Sequence, residues 1–186
     1  DFTDAGDVPP SNESWVTPTT SLTWTIDLPD KTSVNTAKVR VRATDQAGNI
    51  STWYAGTAFV LDNVAPTATI TITPNNSPLP NGYSINNATT SITVTADFSE
   101  VMDAGTNPTI AIPTAGLDNI LGVPSAVGWS NGNTRFTWTI SVTDLDYDAD
   151  NNEIEVSGAK DLAQNTMTTA TNSDIDVDQV VPTVLS

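Results

Sequence analysis

Asp45-Gln46-Ala47-Gly48-Asn49 returns as Asp161-Leu162-Ala163-Gln164-Asn165, 116 residues later, and Asp62-Asn63-Val64-Ala65-Pro66-Thr67 returns as Asp178-Gln179-Val180-Val181-Pro182-Thr183 at the same offset. Thr23-Trp24-Thr25-Ile26 returns as Thr137-Trp138-Thr139-Ile140 at an offset of 114, a difference that a small length change in the intervening loop explains. Self-similarity at a fixed period is the mark of a tandem array. The period is domain-sized, so each unit can bury its own core, unlike the shorter units of a solenoid. The expected organisation is residues 1–64 as the C-terminal part of one repeat, 65–181 as a complete repeat and 182–186 as the start of a following one.

Period-two alternation decides the fold class. Thr67-Ala68-Thr69-Ile70-Thr71-Ile72-Thr73 and Ser91-Ile92-Thr93-Val94-Thr95-Ala96-Asp97-Phe98 put small or apolar residues on one face and hydroxyls or acid on the other, as a half-buried antiparallel strand does. Lys38-Val39-Arg40-Val41-Arg42-Ala43 and Glu153-Ile154-Glu155-Val156 alternate likewise, with charge outward. Turn clusters such as Pro74-Asn75-Asn76-Ser77-Pro78 and Ser130-Asn131-Gly132-Asn133 separate the runs, and no segment sustains a helical period. The expected fold is all-β: tandem immunoglobulin-like β-sandwiches, the first one incomplete. Strands are expected near 67–73, 91–98, 108–112, 124–129, 134–142, 152–158 and 166–177, and in the first unit near 21–28, 36–43 and 52–61, with a short one near Trp15 and Val16. Trp138 and Ile140 should face the core and Thr137 and Thr139 water, with Trp24 and Ile26 buried in the same way. Of the adjacent Trp53 and Tyr54, one should face outward.

Composition narrows the chemistry. The chain has no cysteine and no histidine, which excludes disulfides, zinc fingers and hydrolysis with a histidine base. An extracellular protein without disulfides is more typical of bacteria than of animal secretion. Six basic residues against twenty-two acidic ones give a net charge of −16, which argues against nucleic acid or an anionic membrane as partner. No stretch is long and apolar enough for direct membrane insertion as a helix. The balance argues for cations instead. Ten of the acids fall between Asp144 and Asp178, where Lys160 is the only base, and such self-repulsion is relieved by salt or bound metal.

The segment from Trp24 to Thr67, with Val-Arg-Ala-Thr-Asp-Gln-Ala-Gly-Asn-Ile-Ser and Leu-Asp-Asn-Val-Ala-Pro-Thr, resembles the second half of bacterial immunoglobulin-like repeats of giant surface adhesins and biofilm proteins. The second unit, with Ala96-Asp97-Phe98-Ser99-Glu100-Val101-Met102-Asp103 and the Asp161–Asn165 loop, is similar to a sister branch found in surface-layer proteins. Gln164 stands where that pattern usually has glycine. The resemblance implies an extracellular, cell-surface extender whose partners are neighbouring repeats of the same protein and other copies of itself, and whose junctions bind calcium.

Calcium takes six to eight oxygen ligands, and Asp45, Asn49 and Asp62 are residues of the right type, with Glu100, and after it Asp97 or Asp103, as the expected complement across the junction. The corresponding set at the far end is Asp161, Asn165 and Asp178. The competing reading of Asp45 and Asn49 is a turn held by Asx hydrogen bonds. Asp144, Asp146 and Asp148 fall at alternate positions of an acidic run with an EF-hand-like spacing, but Ala149 stands at the glycine position and no helices flank it. An acidic loop between two strands is the expectation there, holding a calcium ion loosely or guarding an edge. Paired carboxylates of the glycosidase type lack an implied cleft, so no enzymatic activity is expected. Two further readings are a self-assembling surface layer or filament completed by strands from other chains, and a carbohydrate-binding module using Trp53, Tyr54 or Trp129 as a platform.

Overall fold

The computed structural model describes residues 34–79 and 82–184. The expected strand at 21–28, together with Trp15, Val16, Trp24 and Ile26, lies outside the described residues. The chain divides into two units, Asp1–Val64 and Ala65–Ser186. The described residues are all-β apart from one short helix.

In the first unit, β1 (Val34–Ala37) pairs antiparallel with β4 (Phe59–Leu61), and β2 (Arg40–Val41) with β3 (Tyr54–Ala55). The expected single runs at 36–43 and 52–61 are thus each broken into two short strands. Val39 keeps the hairpin closed at the break, its carbonyl accepting from the Gly56 N–H at 2.7 Å. Tyr54 is 73% exposed and Trp53 40%.

The second unit consists of two four-stranded sheets. One runs β5 (Ala68–Pro74), β7 (Ser91–Phe98), β10 (Arg135–Ser141), β9 (Ser125–Ser130), with every pairing antiparallel. The other runs β6 (Ile85–Asn86), β12 (Ala170–Asp178), β11 (Asp148–Ser157), β8 (Thr109–Ala111), with β6 parallel to β12. Alternation sets which residues turn inward: Ile92, Val94 and Ala96 on β7, Phe136, Trp138 and Ile140 on β10, and Ile154, Val156, Ile175 and Val177 on the opposing sheet form one buried cluster. Trp138 and Ile140 are buried while Thr139 is exposed, as their alternation requires.

Two buried polar residues fasten the end of this core. The Asn152 amide donates to the Ala149 and Ile175 carbonyls at 2.8 and 2.9 Å and accepts from the Tyr147 hydroxyl at 2.8 Å. Gln179 accepts from the Leu145 N–H and donates to the Thr143 carbonyl. Satisfied groups of this kind cost little to bury, whereas losing one partner exposes the full desolvation penalty of the other. Helix α1 (Leu117–Ile120) is preceded by Gly116 at φ 98°, where an added Cβ would lie 2.7 Å from the Tyr147 ring. Gly116→Ala therefore combines backbone strain with displacement of Tyr147 from Asn152, and is expected to destabilise the second unit by about 2–3 kcal/mol in urea titration. An unchanged midpoint would show that the ring moves aside freely.

The local structure repeats with the sequence. Bridges Thr44↔Ile50 and Lys160↔Thr166 enclose the two related loops. The four Cα pairs Val34↔Leu61, Ala37↔Phe59, Arg40↔Ala55 and Val41↔Tyr54 have counterparts in Ala149↔Val177, Asn152↔Ile175, Glu155↔Thr171 and Val156↔Ala170. The first partner shifts by 115 residues and the second by 116. The offset of 114 at Trp24 thus grows by single residues along the chain, the last being Gly158 at φ 83°, inserted just before the second loop.

Candidate metal centre

The chain enters the second unit beside the Asp161 loop. The Pro66 carbonyl accepts from the Thr168 N–H at 3.0 Å, and Thr67 exchanges hydrogen bonds with Ser99 through its N–H and its carbonyl. From Ser99 the chain continues through Glu100 to Met102, which bridges Asp161. A carboxylate oxygen of Glu100 and one of Asp161 lie within 4.8 Å of each other, and Asp161 is 1% exposed. When both are ionised their repulsion is roughly 3 kcal/mol at an effective dielectric constant near 20, which an oxygen-seeking cation would turn into attraction.

Both related loops are built by their own hydrogen bonds. Asn165 donates its backbone N–H and its side-chain amide to the two Asp161 carboxylate oxygens at 2.9 and 2.8 Å. Asn49 does the same to Asp45 at 2.8 Å for both bonds. The Asn49 side chain, followed by its N–H, lowers the Asp45 pKa below 3.8. The Asx-turn reading of this motif is therefore present in full, and it spends Asn side-chain donors on the carboxylate. Gln164 takes φ 72° where Gly48 takes 85°, and each donates its N–H to the loop aspartate's carbonyl at 3.1 Å. The Gln164 amide also reaches the Asp103 carboxylate at 3.2 Å, a contact that glycine would lack.

The remaining acids divide by position. Asp97 is held by Arg135 in a bidentate pair at 2.6 and 2.8 Å. The Gly105 N–H, and after it the Gln164 amide, lower the Asp103 pKa below 3.8, so its loop adds stability above that pH that is lost as pH falls through the lowered value. Asp62 follows β4 in the first unit and accepts from the Val64 N–H at 3.1 Å; Asp178 ends β12 and accepts from the Val180 N–H at 3.0 Å.

Asp178 lies at the opposite end of the second unit from Asp161, since the ten-residue β11 starts opposite Asp178 and its far end, roughly 30 Å away, leads into the Asp161 loop. Asp148 is directly across from Asp178 in β11, where the sequence reading placed the acidic loop, and Asp146 stands at φ 55° beside Asp144, whose carboxylate accepts its N–H. Loss of hydration, and after it the field of Asp150, Asp178, Asp148 and Asp176, raises the Tyr83 pKa. No three carboxylates of this end gather within 4.8 Å of one another among the described residues.

Of the three aromatic residues expected as a platform, Trp129 is taken up by packing, while Trp53 and Tyr54 are exposed. Trp129 packs on Phe98 and Phe136 at centroid distances of 5.3 and 5.0 Å and donates its indole N–H to Asn107. Compared with models of known families, with curated proteins and with solved structures, the chain matches none of them.

Proposed function

We propose that the chain is a non-enzymatic extender segment of a bacterial cell-surface adhesin, made of tandem immunoglobulin-like β-sandwich repeats and stiffened by calcium where one repeat meets the next. The observation that carries the reading is the approach of Glu100 to the buried Asp161 at the end of the second unit where the chain enters. Such a pair has little to offer a packed core and much to offer a divalent cation.

Connectivity supports an extender. The second unit receives the chain beside Asp161 and releases it beside Asp178, roughly 30 Å away at its other end, as a module of an extender does. Asp62 occupies in the first unit the place of Asp178 in the second, and only six residues, 62–67, separate β4 from β5. It is the proposed further carboxylate at that junction. At the roughly 0.1–1 mM affinity of extracellular modules, a tenfold excess of calcium over the dissociation constant adds about 1.4 kcal/mol per site. Melting in millimolar calcium should therefore rise by several degrees over melting in chelator, and Asp62→Ala should shrink the rise. Superimposable wild-type curves in the two conditions would end the calcium reading.

A further inference from the structure

Lys38, Arg40 and Arg42 supply half of the six basic residues and lie at alternate positions on and beside β2, with Lys38 in the break that follows β1; Arg40 and Arg42, either side of Val41, share one face of this short extended segment. Trp53 lies on that face, because the register Val41↔Tyr54 sets it opposite Arg42, whose guanidinium carbon is 4.6 Å from the indole centroid. Among the described residues, no ion pair joins Lys38 or Arg40 to an acid.

The equivalent positions in the second unit, 115 residues on, are Glu153, Glu155 and Ser157. They turn outward, flanking Ile154 and Val156, which are 0% exposed. The same face of the two units therefore carries opposite charge. The first unit holds four of the six bases and eight of the twenty-two acids, hence a net −4, and the second the remaining two and fourteen, hence −12.

We propose that the Lys38–Arg40–Arg42 stripe is an interaction surface for a second copy of this chain, which presents the Glu153–Glu155 face of its second unit. The argument for this occupant is complementarity in sign and in spacing. Both stripes stand at alternate, equivalent positions of the two units, so their charges are roughly 6.7 Å apart wherever the chain is extended. Copies that repel over the rest of their surface attract here. Each exposed pair contributes about 0.2–1 kcal/mol, so the contact is weak between free chains and gains its effect where copies are crowded or tethered side by side. It requires no cation and stands apart from the junction proposal.

The test is reciprocal charge reversal. Sedimentation equilibrium up to millimolar protein, in about 0.15 M salt with chelator, is run on the wild type, on Lys38→Glu/Arg40→Glu and on Glu153→Lys/Glu155→Lys, with melting curves to establish that both variants fold. Arg42 is left in place on Trp53. The wild type should gain apparent mass with concentration, each variant alone should lose at least about tenfold in association constant, and an equimolar mixture of the two should recover it. A wild type that stays monomeric, a variant that associates undiminished, or a mixture without recovery overturns the proposal. Retention of the monomeric wild type on immobilised polyuronate, lost in Lys38→Glu/Arg40→Glu, would assign the stripe to an anionic glycan instead.

Discussion

Trp138→Ala should lower the stability of the second unit by about 3–5 kcal/mol, roughly 10–20 °C in melting temperature. Trp138 is 3% exposed on β10, the strand between β7 and β9, and its ring lies 4.7 Å from that of Phe136. Truncation opens a cavity between two sheets that cannot close up, because both faces are fixed by their ladders. Trp53→Ala, at a position 40% exposed, should cost no more than about 1 kcal/mol, chiefly through the lost stacking of Arg42. Melting curves of the two variants separate a core tryptophan from a surface one. A small effect at Trp138 would mean that the two-sheet core is not the principal source of stability.

Asp161→Ala should be nearly as damaging in calcium, and its size should depend on calcium. The substitution removes the acceptor of two charge-assisted hydrogen bonds from Asn165 in a buried position, a loss of at least about 3 kcal/mol. In chelator the same substitution also removes the repulsion from Glu100, which offsets part of that loss. In calcium there is no such relief and the bound ion's contribution disappears as well. Denaturation in both conditions should therefore show a larger penalty with calcium. Equal penalties would mean that Asp161 closes a loop and holds no ion. Asp45→Ala, in the exposed counterpart of this loop, should give a visibly smaller shift in either condition.

The strands that were legible from sequence are those with one buried face. β5, β7 and β10 fall within a residue or so of the expected limits, because alternation such as Ile92, Val94, Ala96 against Ser91, Thr93, Thr95 admits one arrangement, while β9, which has no buried residue, was bounded by the turn at Ser130-Asn131-Gly132-Asn133 that follows it. β6, two residues long and parallel to its neighbour, and α1, a single turn, are too short to carry a period. β11 begins at Asp148 and not near 152, because its first residues are held by pairing with β12 and lack apolar alternation of their own. Within the candidate site, the equivalence of the Asp45 and Asp161 loops, and of Asp62 and Asp178, was legible from the repeat. The burial of Asp161 and its approach to Glu100 were not, since they depend on Met102 crossing to the loop from sixty residues away in sequence. Charge reversal between the two outward stripes was present in Lys38-Val39-Arg40 and Glu153-Ile154-Glu155, but only the strand register shows these as equivalent positions.

The most direct measurement of the central claim is the distance distribution between spin labels on the two units. The chain is free of cysteine, so Thr57→Cys and Thr139→Cys, both at exposed positions, give one label on each unit without further change. The proposed calcium ion would restrict the six-residue connection, so pulsed dipolar spectroscopy should show a narrow distribution in millimolar calcium that broadens in chelator and in Asp62→Ala. A distribution of the same width with calcium, with chelator and in the variant would contradict the account.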